Sequence, residues 1–281
     1  MKSEAESVIS APRGVLRPDS GEEWFQHCRH LPCQRLTRLV AHYWYVAWDR
    51  RNLPPVEQST LPHPNIHIVI ENGAARVYGV QSTRFIRSLS EQDRVFGIKF
   101  QPGGFYPFYK RAMTQLANTS MALEDVFGTV GLQFCDDILS TKDGTTMCEI
   151  ADVFLCSHLS TSVTSTAGDG QIKQITAWMR EIEQNRQILS VEDLMRLTQL
   201  EKRSLQRLFY RYVGTGPKWV IQRYRLHEAV AQIQKEKSVN WSEFAQELGY
   251  FDQTHFTRDF KRLVGMTPAV YAQSLQAITT D

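Results

Sequence analysis

Two stretches of this 281-residue chain repeat each other, residue 197 of the first matching residue 248 of the second. Leu197, Arg203, Gln206, Arg207, Phe209, Gly214 and Pro217 return as Leu248, Thr254, Thr257, Arg258, Phe260, Gly265 and Pro268. The apolar residues and the closing glycine and proline come back unchanged, while the polar positions between them largely change. A duplicated fold unit with a variable outer stripe is the simplest source of that pattern. The stripe is where each copy would meet something different.

Residues 201–212 (EKRSLQRLFYRY) place Leu205, Leu208, Phe209 and Tyr212 at the i, i+3, i+4, i+7 spacing of one buried helical face. Arg203, Gln206, Arg207 and Tyr210 fall on the opposite face, flanked by Lys202 and Arg211. In the second copy Phe256, Phe260 and Leu263 turn inward, and Thr254, Thr257, Arg258 and Lys261 share the outer face. Arginine and glutamine can pair bidentately with guanine and adenine edges in the major groove. Basic residues at the flanks suit phosphates, which supply affinity without sequence. A solvated charged face is the bland alternative. Against it stand the recurrence of the basic face and the matching turn behind each copy.

Each unit has a preceding helix. Ser190 can cap one carrying Val191, Leu194 and Leu197 inward, with Glu192 and Asp193 in its first turn. Asn240 or Ser242 opens the other, whose Phe244, Ala245 and Leu248 face inward and which stops at Gly249. The first copy has the β-branched Thr198 at that place, so its turn is expected to be built differently. Residues 217–234 read as one connecting helix that would fix the spacing of the two outer stripes.

Charge is uneven. Residues 170–281 carry 16 Lys and Arg against 12 Asp and Glu, while residues 1–169 carry 16 against 18. A basic excess at one end fits a nucleic-acid module joined to a neutral one. No stretch approaches the ~20 apolar residues of a membrane helix, and the polar opening residues lack a signal-peptide core. A cytoplasmic, nucleoid-associated protein that does not engage a membrane is expected. Five cysteines, an odd number, suit reduced thiols.

From residue 38 to 100 the pattern becomes short β-type runs: LVAHYWYVAW, NIHIVIE, ARVYGV, TRFIRSL and RVFGIKF. Asn72-Gly73 between two of them is a two-residue hairpin turn. Several short antiparallel strands argue for a small barrel or sandwich. Helices follow near residues 103–109, 123–127, 130–139 and 146–159, and the small, polar run LSTSVTSTAGDG reads as a linker. Dense aromatics are core-forming, and an apolar pocket with a few polar groups would draw on Trp44, His67, Arg76 and Lys99. No catalytic residues, metal ligands or cofactor are assigned. His42, His63, His67 and Glu71 do not make a metal constellation, and the cluster HCRHLPCQ (His27, Cys28, His30, Cys33) has no second pair to close a zinc site.

The stretches SLQRLFYRYVGTGPKWVIQRYRLHEA and FAQELGYFDQTHFTRDFKRLVGMTPAVY make residues 172–272 resemble the DNA-binding domain of the AraC/XylS family of bacterial transcription regulators. The resemblance implies seven helices, two reading heads and promoter binding. It places base-reading positions on Arg203, Gln206 and Arg207, and on Gln253, Thr254, Thr257 and Arg258, with Lys202, Arg211, Lys261 and Arg262 flanking. Glu201 stands where the family usually has a serine cap, and Phe251 where it has a small polar residue. LPHPNIHIVIE, VYGV, GIKFQPGGFYPFY and ALEDVFG, within residues 35–128, resemble the cupin-like barrel with trailing helices that many members carry. That implies effector sensing or dimerisation. His63-Pro64-Asn65 stands where the usual version has Asp-Gly after the proline.

The expected architecture is thus an α+β multidomain chain. A cupin-like sensing or dimerisation domain spans 1–160 and a linker 161–170, and an all-α tandem helix-turn-helix domain spans 171–281. The expected partners are double-stranded promoter DNA, RNA polymerase, a small-molecule effector and a second copy of the chain. An activator is the leading expectation. A constitutive DNA-binding module whose first half recruits a partner, or a cupin-like enzyme with a DNA-targeting tail, remain alternatives.

Overall fold

A computed structural model describes residues 24–159, 167–235 and 240–278. The first half contains strands β1 (Phe25–His30), β2 (Val40–Arg50), β3 (Val56–Thr60), β4 (His67–Glu71), β5 (Ala74–Tyr78), β6 (Phe85–Leu89) and β7 (Glu91–Phe100). One helical turn, α1 (Tyr106–Tyr109), a 3-10 turn (Met113–Leu116) and strand β8 (Ser120–Ala122) follow. Helices α2 (Glu124–Phe127), α3 (Thr129–Ser140) and α4 (Gly144–His158) complete this half.

Six strands form one antiparallel sheet in the order β1-β2-β7-β4-β5-β8, and β3 pairs with β6 in a separate ribbon. Among the described residues no pairing joins β1 to β8 or the ribbon to the sheet, so the expected barrel is instead an open sheet with a two-stranded ribbon beside it. β8 is three residues long, too short to offer a ladder for closure. β4 and β5 turn through Asn72 and Gly73, whose φ values of 49° and 76° are those of a tight primed hairpin.

Period-two alternation sorts the sheet's two faces. Tyr43, Ile68, Ile70, Val77, Phe96 and Ile98 enter the main core, closed by Phe134, Ile138, Ala151 and Leu155 of α3 and α4. The opposite face holds a smaller cluster of Trp48, Val95 and Leu89, with Trp44, Val46 and Val69 packed against it. Leu89 comes from the ribbon, which therefore covers that face.

The second half consists of α5 (Ala167–Gln184), α6 (Val191–Thr198), α7 (Lys202–Tyr212), α8 (Pro217–Ile233), α9 (Trp241–Glu247), α10 (Gln253–Val264) and α11 (Pro268–Ile278). Residues 167–170, expected in the linker, already belong to α5, and residues 160–166 lie outside the described residues. α6 begins with a capping box: the Asp193 N–H donates to Ser190 Oγ at 3.1 Å, and the Ser190 N–H donates to Asp193 at 2.8 Å. Pro217 opens α8, where a missing N–H costs nothing.

α8 is the spine of this half. Its Val220, Ile221 and Tyr224 join the core that buries Leu205 and Phe209 of α7. One turn further, Leu226, Ala229, Val230 and Ile233 join the core that buries Phe256 and Phe260 of α10. Both units are therefore packed onto one rod. The sheet half leans on both as well, Leu39 entering the first core and Leu61 the second. Polar ties reinforce the junction: Thr176 donates to the Pro102 carbonyl at 3.2 Å and Arg223 to the Ser82 carbonyl at 2.9 Å. Arg84 donates to the Val264 carbonyl at the end of α10.

Candidate nucleic-acid interface

Each unit positions its outer helix by a turn. After α9 the chain reverses at Gly249, φ 79°, a left-handed conformation that a Cβ would strain. In the first unit Thr198 remains the last residue of α6, its hydroxyl donating to the Leu194 carbonyl at 2.8 Å. Gln199 takes the left-handed place instead, at φ 56°. The turn thus differs between units, as the threonine implies. This displacement also overturns one expectation. Val191 and Leu194 are buried, but Leu197 is 45% exposed, whereas its counterpart Leu248 is 4% exposed. With the helix carried further before its stop, Leu197 rotates outward and Leu200 packs on the core in its stead.

α7 and α10 carry the stripes as their amphipathic patterns require. On α7, Leu205, Phe209 and Tyr212 are buried and Leu208 is half-buried, while Lys202, Arg203, Arg207 and Arg211 are exposed and Gln206 is half-buried. On α10, Phe256, Phe260, Leu263 and Val264 are buried, with Gln253, Thr254, Arg258, Lys261 and Arg262 exposed and Thr257 half-buried. Arg203, Arg207, Arg258 and Lys261 have no ion-pair partner among the described residues. Lys202 lies 3.6 Å from Glu192, an exposed pair of small energetic weight, and Arg262 lies 3.1 Å from the half-buried Asp259. Glu201 caps α7 with no side-chain hydrogen bond, but Asp252 caps α10 by accepting from the His255 N–H at 2.7 Å. That bond, foremost among several, holds the Asp252 carboxyl below its ordinary value.

Two residues near these helices escaped the sequence reading, and a third was noted without its exposure. Phe251, in the turn before α10, is 89% exposed. Lys110 and Arg111 of the first half are exposed beside α7. Their distance from the repeat hid the last two. The departure at Phe251 was visible, but not its exposure.

The four expected ligand residues share one face of the sheet, Trp44 and Arg76 at the two ends of one cross-strand row through Gly97 and Val69, and His67 and Lys99 side by side in the next row. Trp44 lies across Gly97, where a Cβ would meet its indole at 2.0 Å, in the small apolar cluster. Arg76 is exposed at the β5–β8 edge, donating to Ser120 at 3.1 Å. His67 pairs with Lys99 in the register of β4 and β7, and His42 pairs with Lys99 from the other side. Lys99 and His42 reach a cavity of about 350 Å³ between the sheet and α5 and α8, lined also by Arg29, Arg180, Glu183 and Tyr224. The Arg29 Nε is buried there with no hydrogen-bond partner among the described residues. Desolvation first, and then the charge of Lys99, hold His42 and His67 down to about 3. His27 and Cys28 are consecutive on β1 and so point to opposite faces, while Cys33 lies 3.7 Å from Cys156. Among the described residues no group of three or more His, Cys, Asp or Glu is placed to hold a metal ion, and no helix is long and apolar enough to cross a membrane.

Residues 194–274 match a family model described as a helix-turn-helix domain, and residues 28–122 match one described as a domain of unknown function, DUF6597. An uncharacterized HTH-type transcriptional regulator of Escherichia coli K12, YidL, is 31% identical over 111 residues. That match takes in 40% of this chain and spans 36% of YidL. Among solved structures, an apo ToxT variant from Vibrio cholerae aligns with a TM-score of 0.39 at 14% identity, over 83% of this chain and 97% of that one. A second ToxT crystal form gives 0.35 at 11% identity, over 89% and 98%. The C-terminal part of the chain, residues 194–274, is thus a helix-turn-helix domain of the AraC type.

Proposed function

We propose that the chain is a sequence-specific activator of transcription whose α7 and α10 enter adjacent major grooves of one promoter duplex. The observation that carries this is the shared spine. α8 is buried in both units' cores, so the two outer stripes are held at one spacing. Grooves on one side of a duplex recur about every 34 Å. Arg203, Gln206 and Arg207 read bases through the first head, and Gln253, Thr254, Thr257 and Arg258 through the second. Lys202, Arg211, Lys261 and Arg262 meet phosphates. Selection of bound sequences from a random duplex library tests this. Arg207→Ala and Arg258→Ala should each cost about 1–3 kcal/mol on the selected site and relax preference at separate positions. Equal losses on random DNA would reassign both to phosphates.

The first half, residues 1–160, is the sensing or dimerising module, joined by a linker across 161–170 to the DNA-binding domain. A specific observation favours sensing: the basic cavity lies between the sheet and α5 and α8, so an occupant would touch both halves. Ligand control needs different affinity for two arrangements of the halves, and a cavity walled by both supplies it. Its charge suits a small organic anion. Thermal unfolding with a panel of carboxylates, phosphates and their neutral amides would decide, stabilisation by no anion favouring a constitutive module. Pairing with a second copy would use α3 and α4, where Val130 and Leu132 are each 49% and Val153 71% exposed. Activation implies contact with RNA polymerase.

A further inference from the structure

The cleft between the sheet half and α7, of about 520 Å³, is lined by Tyr106, Lys110 and Ala112 on one side and Arg207, Tyr210 and Arg211 on the other. Three of these six side chains are cations and none is acidic. Arg111 follows Lys110 and is also exposed, its guanidinium 5.8 Å from the Tyr109 ring. Three positive side chains from two parts of the chain thus stand together at the edge of the reading face, with Arg111 the next residue along from one of them.

Their placement is rigid. Lys110 ends α1 in a left-handed conformation, φ 57°, with its N–H donating to the Tyr106 carbonyl at 2.8 Å. The Tyr106 ring packs 4.6 Å from that of Tyr212, on the buried face of α7. Met113 closes on Gly214 so tightly that a Cβ there would come within 3.0 Å of its carbonyl oxygen. The Tyr106 hydroxyl accepts a hydrogen bond from Arg211 Nε at 2.9 Å, and Nη2 donates to the same oxygen. A guanidinium has five N–H donors, so Arg211, still exposed, has donors left for another acceptor.

From this we infer that the first half contributes directly to the DNA interface. Lys110 and Arg111 hold phosphates of the strand bordering the groove that α7 enters, and Tyr106 positions Arg211 toward the same phosphates. The inference rests on the DNA-binding reading of α7 and extends it to residues outside the helix-turn-helix domain. It has a regulatory consequence. Any movement of the sheet half away from α7 withdraws two cations from the duplex, so the arrangement of the halves and DNA affinity are coupled.

The experiment is a salt titration of the full chain on several unrelated duplexes, read by fluorescence anisotropy. Lys110→Ala with Arg111→Ala should lower affinity roughly tenfold, equally on every duplex, and reduce the salt slope by about two. Because both side chains are exposed, the unfolding temperature should stay put. Tyr106→Phe keeps the ring packing and should lower the slope by about one, a readout that loss of packing alone would not move. An unchanged affinity and slope in the double variant would overturn the inference, as would tighter binding, which would make the segment an obstruction. A loss confined to one sequence would also overturn it. Stoichiometric binding of inorganic phosphate in the cleft, with DNA affinity untouched by the double variant, would reassign it to a small anion. If the unaltered chain binds no duplex, it is the DNA-binding reading that fails.

Discussion

Arg225 donates to Glu228 at 2.7 Å, one turn along α8, with its own side chain only 2% exposed. Its other Nη donates to the Ile182 carbonyl of α5, and Arg186 reaches the second Glu228 oxygen at 2.5 Å. The carboxylate therefore ties the spine to α5 at the point where the two cores meet. Glu228→Gln would leave a buried guanidinium without its counter-charge. Breaking a buried pair from one side costs about 3 kcal/mol or more. Urea unfolding should register that loss. A change under about 1 kcal/mol would mean solvent screens the Arg225 charge instead.

Acid should weaken the sheet half earlier than carboxylate protonation alone would. Desolvation, with neighbouring Arg29 and Lys99 adding to it, holds His27 near 4 and His42 and His67 near 3. Their unfolded value is about 6.5. Between those values the unfolded chain binds protons that the folded chain refuses, so stability falls as pH falls from about 6.5. The midpoint of thermal unfolding followed from pH 7 to 4, a range set by those values, should decline. The decline should be shallower in His42→Gln and His67→Gln. Equal slopes in all three proteins would show that these imidazoles titrate normally.

The two turns should respond oppositely to glycine chemistry. Gly249→Ala puts a Cβ at φ 79° and within 2.8 Å of Leu189, and should destabilise the second unit by about 1–3 kcal/mol. Gln199 already bears the left-handed strain in the first unit, so Gln199→Gly should be neutral or stabilising. Denaturation of both variants checks the pair. A stable Gly249→Ala protein would mean the α9–α10 turn can rebuild.

Lys261, exposed at the last turn of α10, has no acidic partner among the described residues, whereas Arg262 pairs with Asp259. Lys261→Ala should weaken binding to all duplexes alike and lower the salt slope by about one. A sequence-dependent loss, measured by the same anisotropy titration, would place it on a base edge instead.

Much of the second half was legible because its determinants are local. Helical periodicity in residues 201–212 and 253–264, the Ser190 capping box and the glycine at 249 each act within one or two turns of chain. The Asn72-Gly73 hairpin was legible for the same reason. The misses have a common cause. β1, β3 and β8 are short and polar; β1 and β8 are strands because longer neighbours offer them a ladder, and β3 because β6 of equal length pairs with it. Leu197 looked inward on period alone, until the turn took its left-handed residue one place later.

Residue order by itself determined which segments are helices, which face of α7 and α10 is apolar, and that two such units occur in tandem. Those are properties of spacing along the chain. Only the tertiary structure decided that the sheet stays open, that Trp44 and Arg76 stand three strands apart on one face, and that Lys110 comes to stand beside Arg207. Such neighbours are separated by tens of residues, and what joins them is the packing of one half's surface against the other's, which no local pattern encodes.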